Sequence, residues 1–259
     1  TDLPQHWITA SENWSPIDHG ETNVDYLSLG RNFGCLIDED EKVFCWGRSD
    51  MGQIGAGSIV TRDGCQNACE PTPLEVEGLG RVIGLSTGRL DHACALNRDG
   101  EVWCWGRNDR GQAGGSPDPQ PCVVRPDQLS EQNGEIGCVR RPHRIEGLPP
   151  AIDVASGQWH NCALSREGAV WCWGGNTQGQ LGLGVFGLAP GAPPEDGTGS
   201  RTPRWVHGLP PVQSITLGGL TSCAHVGESL WCWGANDMQQ LHPRCGGGNA
   251  APQRLGNLD

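Results

Sequence analysis

The chain has 259 residues and a formal net charge of −12, from 18 Lys and Arg against 30 Asp and Glu. That balance argues against a protein that grips nucleic acid, which needs a basic face. No run of 18 or more apolar residues occurs, so no helical membrane span is encoded.

Residues 1–23 read as an N-terminal extension. They begin Thr1-Asp-Leu-Pro-Gln-His-Trp7, without the basic and apolar regions of a leader peptide. The sequon Asn13-Trp-Ser15 matters only in a eukaryotic secretory pathway.

From residue 24 one unit is repeated four times, over about 24–78, 80–148, 150–209 and 211–258 of a single β domain, 24–259. Each copy opens with a short apolar strand: Tyr26–Gly30, Val82–Ser86, Ile152–Ser156, Ser214–Gly218. Next comes a phrase bounded by two cysteines, ten residues apart in three copies and nine in the last. Its turns are Asp38–Glu41, Arg98-Asp-Gly100, Arg166-Glu-Gly168 and Gly227-Glu-Ser229. Alternation on both sides predicts a tight hairpin with the cysteines directly opposite, within disulfide reach. The expected bridges are Cys35–Cys45, Cys94–Cys104, Cys162–Cys172 and Cys223–Cys232. A thiolate metal site would need clustered cysteines, which this spacing does not give. Such density of disulfides points to an oxidising compartment: secreted, periplasmic or cell-surface.

A Gly-rich corner follows each hairpin, beginning Trp46-Gly-Arg-Ser-Asp, Trp105-Gly-Arg-Asn-Asp, Trp173-Gly-Gly-Asn-Thr and Trp233-Gly-Ala-Asn-Asp. A variable loop and a Pro-bearing strand close the unit: Thr72–Val76, Pro142–Ile145, Thr202–Val206, Ala251–Leu255. Proline suits an outermost strand, where one N–H stays unpaired. Four short antiparallel strands per ~60 residues, repeated radially, describe the blades of a β-propeller. The 40 Gly and 19 Pro therefore read as turns, and the 11 Trp as core mass.

Three insertions break the template, at 56–71, 114–141 and 184–201. Cys65–Cys69 would close a small loop in the first, and Cys122–Cys138 would pin the second. Cys245 is then odd: a free thiol, a link between chains, or a partner for Cys65 or Cys69. The third insertion is Gly/Pro-rich after Phe186 and reads as mobile.

Residues 82–114 and 152–184 carry the phrase Gly-x-x-His-x-Cys-Ala-Leu-x-x-Asp-Gly-x-Val-x-Cys-Trp-Gly-x-Asn-x-x-Gly-Gln in closest form. It resembles the regulator of chromosome condensation repeat, over about residues 24–258. The added cysteine pairs are similar to exported bacterial forms of it. The resemblance implies a propeller, usually of seven blades. Four copies then mean a small ring, an array completed by another chain, or a fragment.

His92 and His160 share one template position, held by Phe33 and Thr221 in the other copies. Such positions could line a central mouth and bind a ligand or metal, against a plain role in hydrogen-bonding the turn. Asp38–Glu41 could bind Ca²⁺, against a solvated turn. Asn108, Asp109 and Asn176 could form a ligand loop, against shaping their own corners. No nucleophile elbow, phosphate loop or His-Glu-x-x-His helix is present, and no cofactor is implied.

The leading reading is an exported, non-catalytic binding module. Its protein or ligand partner would sit on the face formed by the three insertions, with His92, His160, Arg140, Arg141 and Phe186 as candidate contacts. A carbohydrate-binding propeller is the alternative, and an enzyme with a site at the central mouth comes after it. Self-association is a further way to close the ring. The guanine-nucleotide exchange that the family resemblance implies is a cytosolic or nuclear activity, at odds with four disulfides.

Overall fold

The computed structural model describes residues 23–60, 68–120, 122–123, 135–189, 198–241 and 247–255. Each copy of the repeat forms a four-stranded antiparallel sheet. The first comprises β1 (Val24–Leu29), β2 (Phe33–Asp38), β3 (Val43–Arg48) and β4 (Cys69–Glu75). The second comprises β5 (Val82–Gly88), β6 (His92–Asn97), β7 (Val102–Arg107) and β10 (Cys138–Arg144). A two-stranded ribbon, β8 (Cys122–Val123) and β9 (Glu135–Ile136), is inserted before β10. The third sheet is β11 (Ala151–Ser156), β12 (His160–Ser165), β13 (Val170–Gly175) and β14 (Gly199–Trp205). The fourth is β15 (Ser214–Gly218), β16 (Thr221–Val226), β17 (Ser229–Gly234) and β18 (Asn249–Leu255).

The hairpin register sets each cysteine pair face to face. All four expected bridges form, with Cα atoms 4.1 Å apart. The tips are shaped by side chains that accept backbone N–H bonds. Asp38 accepts from Asp40 and Lys42 at 3.0 and 2.9 Å, and Asn97 from Asp99 and Glu101 at 3.1 and 2.9 Å. Short polar side chains stabilise turns in this way.

The outer strands begin earlier than their prolines suggest. A register shift lets their first residues pair with the Trp-Gly end of the third strand, and the proline falls after it. Arg140 and Arg141 therefore belong to β10 of the second sheet, not to the insertion before it.

No sheet could bury both faces alone, and the core lies between sheets. The cysteine face of one sheet meets the indole face of the next. Between sheets two and three, Cys94, Leu96, Val102 and Cys104 pack on Val154, Ala163 and Trp173. The same positions make the other two cores. Each buried indole also bonds back across the joint. Trp105, Trp173 and Trp233 donate to the backbone carbonyls of Gln53, Gln112 and Gln180 at 2.9, 3.1 and 2.9 Å. Apolar contact and a fixed hydrogen bond thus act at the same point of each joint.

Consecutive sheets pack through β1 and β2 on β5, β5 and β6 on β11, and β11 and β12 on β15. Among the described residues no comparable packing joins the first sheet to the fourth. The four sheets therefore form an open arc, not a small closed ring.

Candidate binding surface

Every long insertion joins the third strand of a sheet to the fourth, so all three leave the same end of the arc. The local reason lies in the corner. Gly106 has φ 97°, and a side chain there would run into the carbonyl of Asp91. That left-handed step turns the chain out of the sheet. Asn108 then closes the corner. Its amide donates to the Gly114 carbonyl at 2.9 Å, and its oxygen accepts from Ala113 N–H at 3.0 Å. Asn176 does the same with Val185 and Leu181, at 2.9 and 3.1 Å. Asp109 pairs with Arg107 at 2.8 Å, and the Arg107 hydrogen bond and charge hold its carboxyl below the usual range despite burial. These side chains are spent on the corner.

The second insertion is anchored. Cys122–Cys138 ties the β8–β9 ribbon to the start of β10, as the sequence predicts. Met51, from the first corner, packs against this bridge and Ile136. Asp118 accepts from the backbone N–H and guanidinium of Arg140 at 2.9 and 3.3 Å, and the Arg140 carbonyl takes Gly57 N–H at 2.9 Å. The Arg141 guanidinium lies against Gly57, and the residue is exposed. The ends of two insertions therefore meet on a firm platform. Cys69 is also disulfide-bonded. Its predicted partner Cys65, the odd Cys245, and residues 190–197 of the third insertion lie outside the described residues.

Apolar side chains are presented at this end. Phe186 is 54% exposed, flanked by exposed Val185 and Leu188; Ile59 in the first insertion and Met238 in the fourth corner are exposed as well. Of the predicted contacts, Phe186 and the two arginines are thus at this end. Ile59 and Met238 carry no signal in the sequence beyond their place in the template.

His92 and His160 lie elsewhere. Both are wholly enclosed between sheets. The His92 ring nitrogen Nε2 bonds Asn161 Oδ1 at 2.9 Å, and His160 Nε2 bonds the Ser222 hydroxyl at 2.7 Å. These bonds join neighbouring sheets rather than closing the local turn. Burial pushes the two imidazoles down to about 4 and about 3, so both are neutral in the fold. An unfolded chain protonates them near 6.5 while the folded one does not, so stability falls as pH drops from about 6.5 toward 4. The expected result is a melting temperature that declines across that range, with a shallower decline in His160→Gln. An identical slope in the variant would remove His160 as a cause.

The Asp38–Glu41 tip is held by its own turn and by ion pairs from Glu41 to Arg81, at 2.9 Å, and to Arg98. Among the described residues no three His, Cys, Asp or Glu side chains converge as a metal site would require.

On the outer edge of the third sheet, Trp171, Leu183, Pro203, Arg204, Trp205 and His207 line a groove of about 310 Å³. Trp205 is 48% exposed and its ring lies 4.2 Å from that of His207. The equivalent positions in the other sheets are Glu75, Arg144 and Arg254, so this groove is peculiar to one blade.

Radial sheets joined cysteine face to indole face, with loops gathered at one end, define an arc of β-propeller blades. Two profiles of the "Regulator of chromosome condensation (RCC1) repeat" match the chain, one at residues 24–53, 82–112 and 151–180, the other at 40–96, 99–164 and 167–225. The chain belongs to the RCC1 repeat family.

Among its relatives, the human "Probable E3 ubiquitin-protein ligase HERC6" is 33% identical over 162 residues, 62% of this chain and 14% of that protein. The Arabidopsis thaliana "RCC1 domain-containing protein RUG3, mitochondrial" is 26% identical over 79% of this chain and 57% of its own length. Among solved structures, Prp20p of Saccharomyces cerevisiae superimposes with a TM-score of 0.71 at 22% identity, over 92% of this chain and 52% of that one. Its structure is described together with binding to Gsp1p and histones. The same yeast protein bound to Kap60 superimposes with a TM-score of 0.70 at 21% identity, over 92% of this chain and 50% of that one. The chain thus spans about half of Prp20p and a smaller part of HERC6.

Proposed function

We propose that the chain is an exported protein-binding module whose partner docks on the loop end of the arc. The observation that carries this is the exposed Phe186, with further apolar side chains, at the same end of the arc as a platform pinned by Cys122–Cys138. Exposed apolar groups on a rigid, rimmed surface are the usual anchors of protein recognition. The disulfides favour an oxidising compartment, and the partners named for Prp20p favour protein recognition. Phe186→Asp is expected to weaken capture of the physiological partner at least tenfold, and shortening 114–141 to abolish it. Unchanged capture by both variants, each folded, would overturn the reading.

The groove at Trp205 favours a second reading, carbohydrate binding, since an exposed indole beside an arginine suits the apolar face and hydroxyls of a sugar. A glycan array should then give signals that Trp205→Ala removes. A blank array would sink this alternative and leave the first untouched.

A further inference from the structure

The groove on the outer edge of the third sheet stands where another blade keeps charges. In the second blade Arg144 is held at this edge by Glu101 at 2.9 Å and by Glu146 at 3.3 Å. The third blade has Trp205, Ala169 and His207 in those three positions. An ion-paired edge has thus become an exposed indole beside a groove, and both carboxylates are gone. Although the chain has a net charge of −12, no Asp or Glu lines this groove.

The hydrogen-bonding character of the lining is one-sided. Leu183 and Pro203 are apolar, Trp171, Trp205 and Arg204 can only donate, and His207 alone has a side-chain nitrogen able to accept. Arg204 is held through Nε, which donates to the Ser200 hydroxyl at 3.1 Å. Ser200 is buried and gives its own proton to the Thr202 carbonyl at 2.7 Å. Among the described residues no carboxylate pairs with the Arg204 guanidinium. A neutral polyol brings hydroxyl protons that need acceptors, which this lining scarcely offers. An oxyanion is satisfied by donors alone, and a planar carboxylate matches the guanidinium fork with two parallel bonds. The exposed indole suits the apolar face of a pyranose ring, and about 310 Å³ is the low end of ordinary small-ligand sites.

We propose that this groove binds a sugar that carries a carboxylate, its ring lying on Trp205, its carboxylate taken by Arg204, and His207 at the rim. The inference rests on the carbohydrate reading given above and narrows it to acidic sugars. It makes no use of the loop end. Two sources share this chemistry: the uronic acids of a polysaccharide and the sialic acids that end a protein-linked glycan.

The test is calorimetric titration of the full chain with two matched pairs of sugars. One pair is a hexuronate trisaccharide and the same trisaccharide with its carboxyls reduced to alcohols. The other is sialyllactose and lactose. In at least one pair the acidic member is expected to bind about tenfold tighter or more, the effect of one charge-assisted hydrogen-bonded contact. The pair that shows the preference identifies the source. Arg204→Gln is expected to bring the acidic member down to the affinity of the neutral one. His207→Glu, which returns the carboxylate that the second blade carries there, should do the same. Trp205→Ala should abolish binding of both members. Wild-type melting temperatures verify that the variants are folded. Equal affinities within both pairs would overturn the inference and leave the carbohydrate reading standing, whereas no binding of any sugar would remove both. A preference that survives Arg204→Gln would also overturn it, since another cation would then hold the carboxylate.

Discussion

Trp173→Ala is expected to destabilise the protein by about 4 kcal/mol, the middle of the range for deleting a buried large aromatic. The indole is fully buried, fills the joint between sheets two and three, and donates to the Gln112 carbonyl. Its loss opens a cavity and leaves the joint without its fixed hydrogen bond. Leu29→Ala, at a β1 side chain that is 66% exposed, should change stability by no more than about 0.5 kcal/mol, as exposed sites do. Chemical denaturation of both variants checks the pair. A Leu29→Ala penalty like that of a core leucine would mean that Leu29 is covered after all.

The second large effect is expected from the hairpin bridges. Removing one, as in Cys94→Ala/Cys104→Ala, should cost about 3 kcal/mol. The closed loop is short, and constraint of the unfolded chain supplies about 2–3 kcal/mol in the chain-entropy picture. Both sulfur atoms are also buried in the joint to the third sheet, so alanine leaves a gap there. For a chain of this size the melting temperature should fall by roughly 6–12 °C. Reduction of all the bridges should abolish cooperative melting under conditions where the oxidised protein melts sharply. A reduced protein that melts as before would show the bridges to be incidental.

Much of the architecture is legible in the sequence because it is local. A hairpin whose cysteines face each other follows from a ten-residue spacing and alternation, and the four copies check one another. The inter-sheet details are not local. His92 reads like a turn residue or a ligand, but its partner Asn161 lies one repeat away. Trp46 and Trp105 stand in the same phrase, and only the presence of a preceding sheet makes one an enclosed anchor and the other half uncovered. Arg140 and Arg141 read as part of an insertion because Pro142 marks the strand's start in the template, whereas a register shift lets β10 begin four residues earlier. The loop end follows from the template alone. Its apolar side chains, Ile59 and Met238, become visible only as exposure.

The spacing of the hairpin cysteines also bears on how the molecule matures. Each of these four bonds joins residues only nine or ten apart, although the chain has thirteen cysteines. A loop of that length closes in about 10–100 ns, far faster than ribosomes or translocons deliver the next repeat. The correct partner is therefore the first one each thiol meets. Bond formation itself takes seconds or longer, comparable with the delivery of a whole repeat, so the short loops favour the correct partner by proximity while mispaired bonds still need reshuffling.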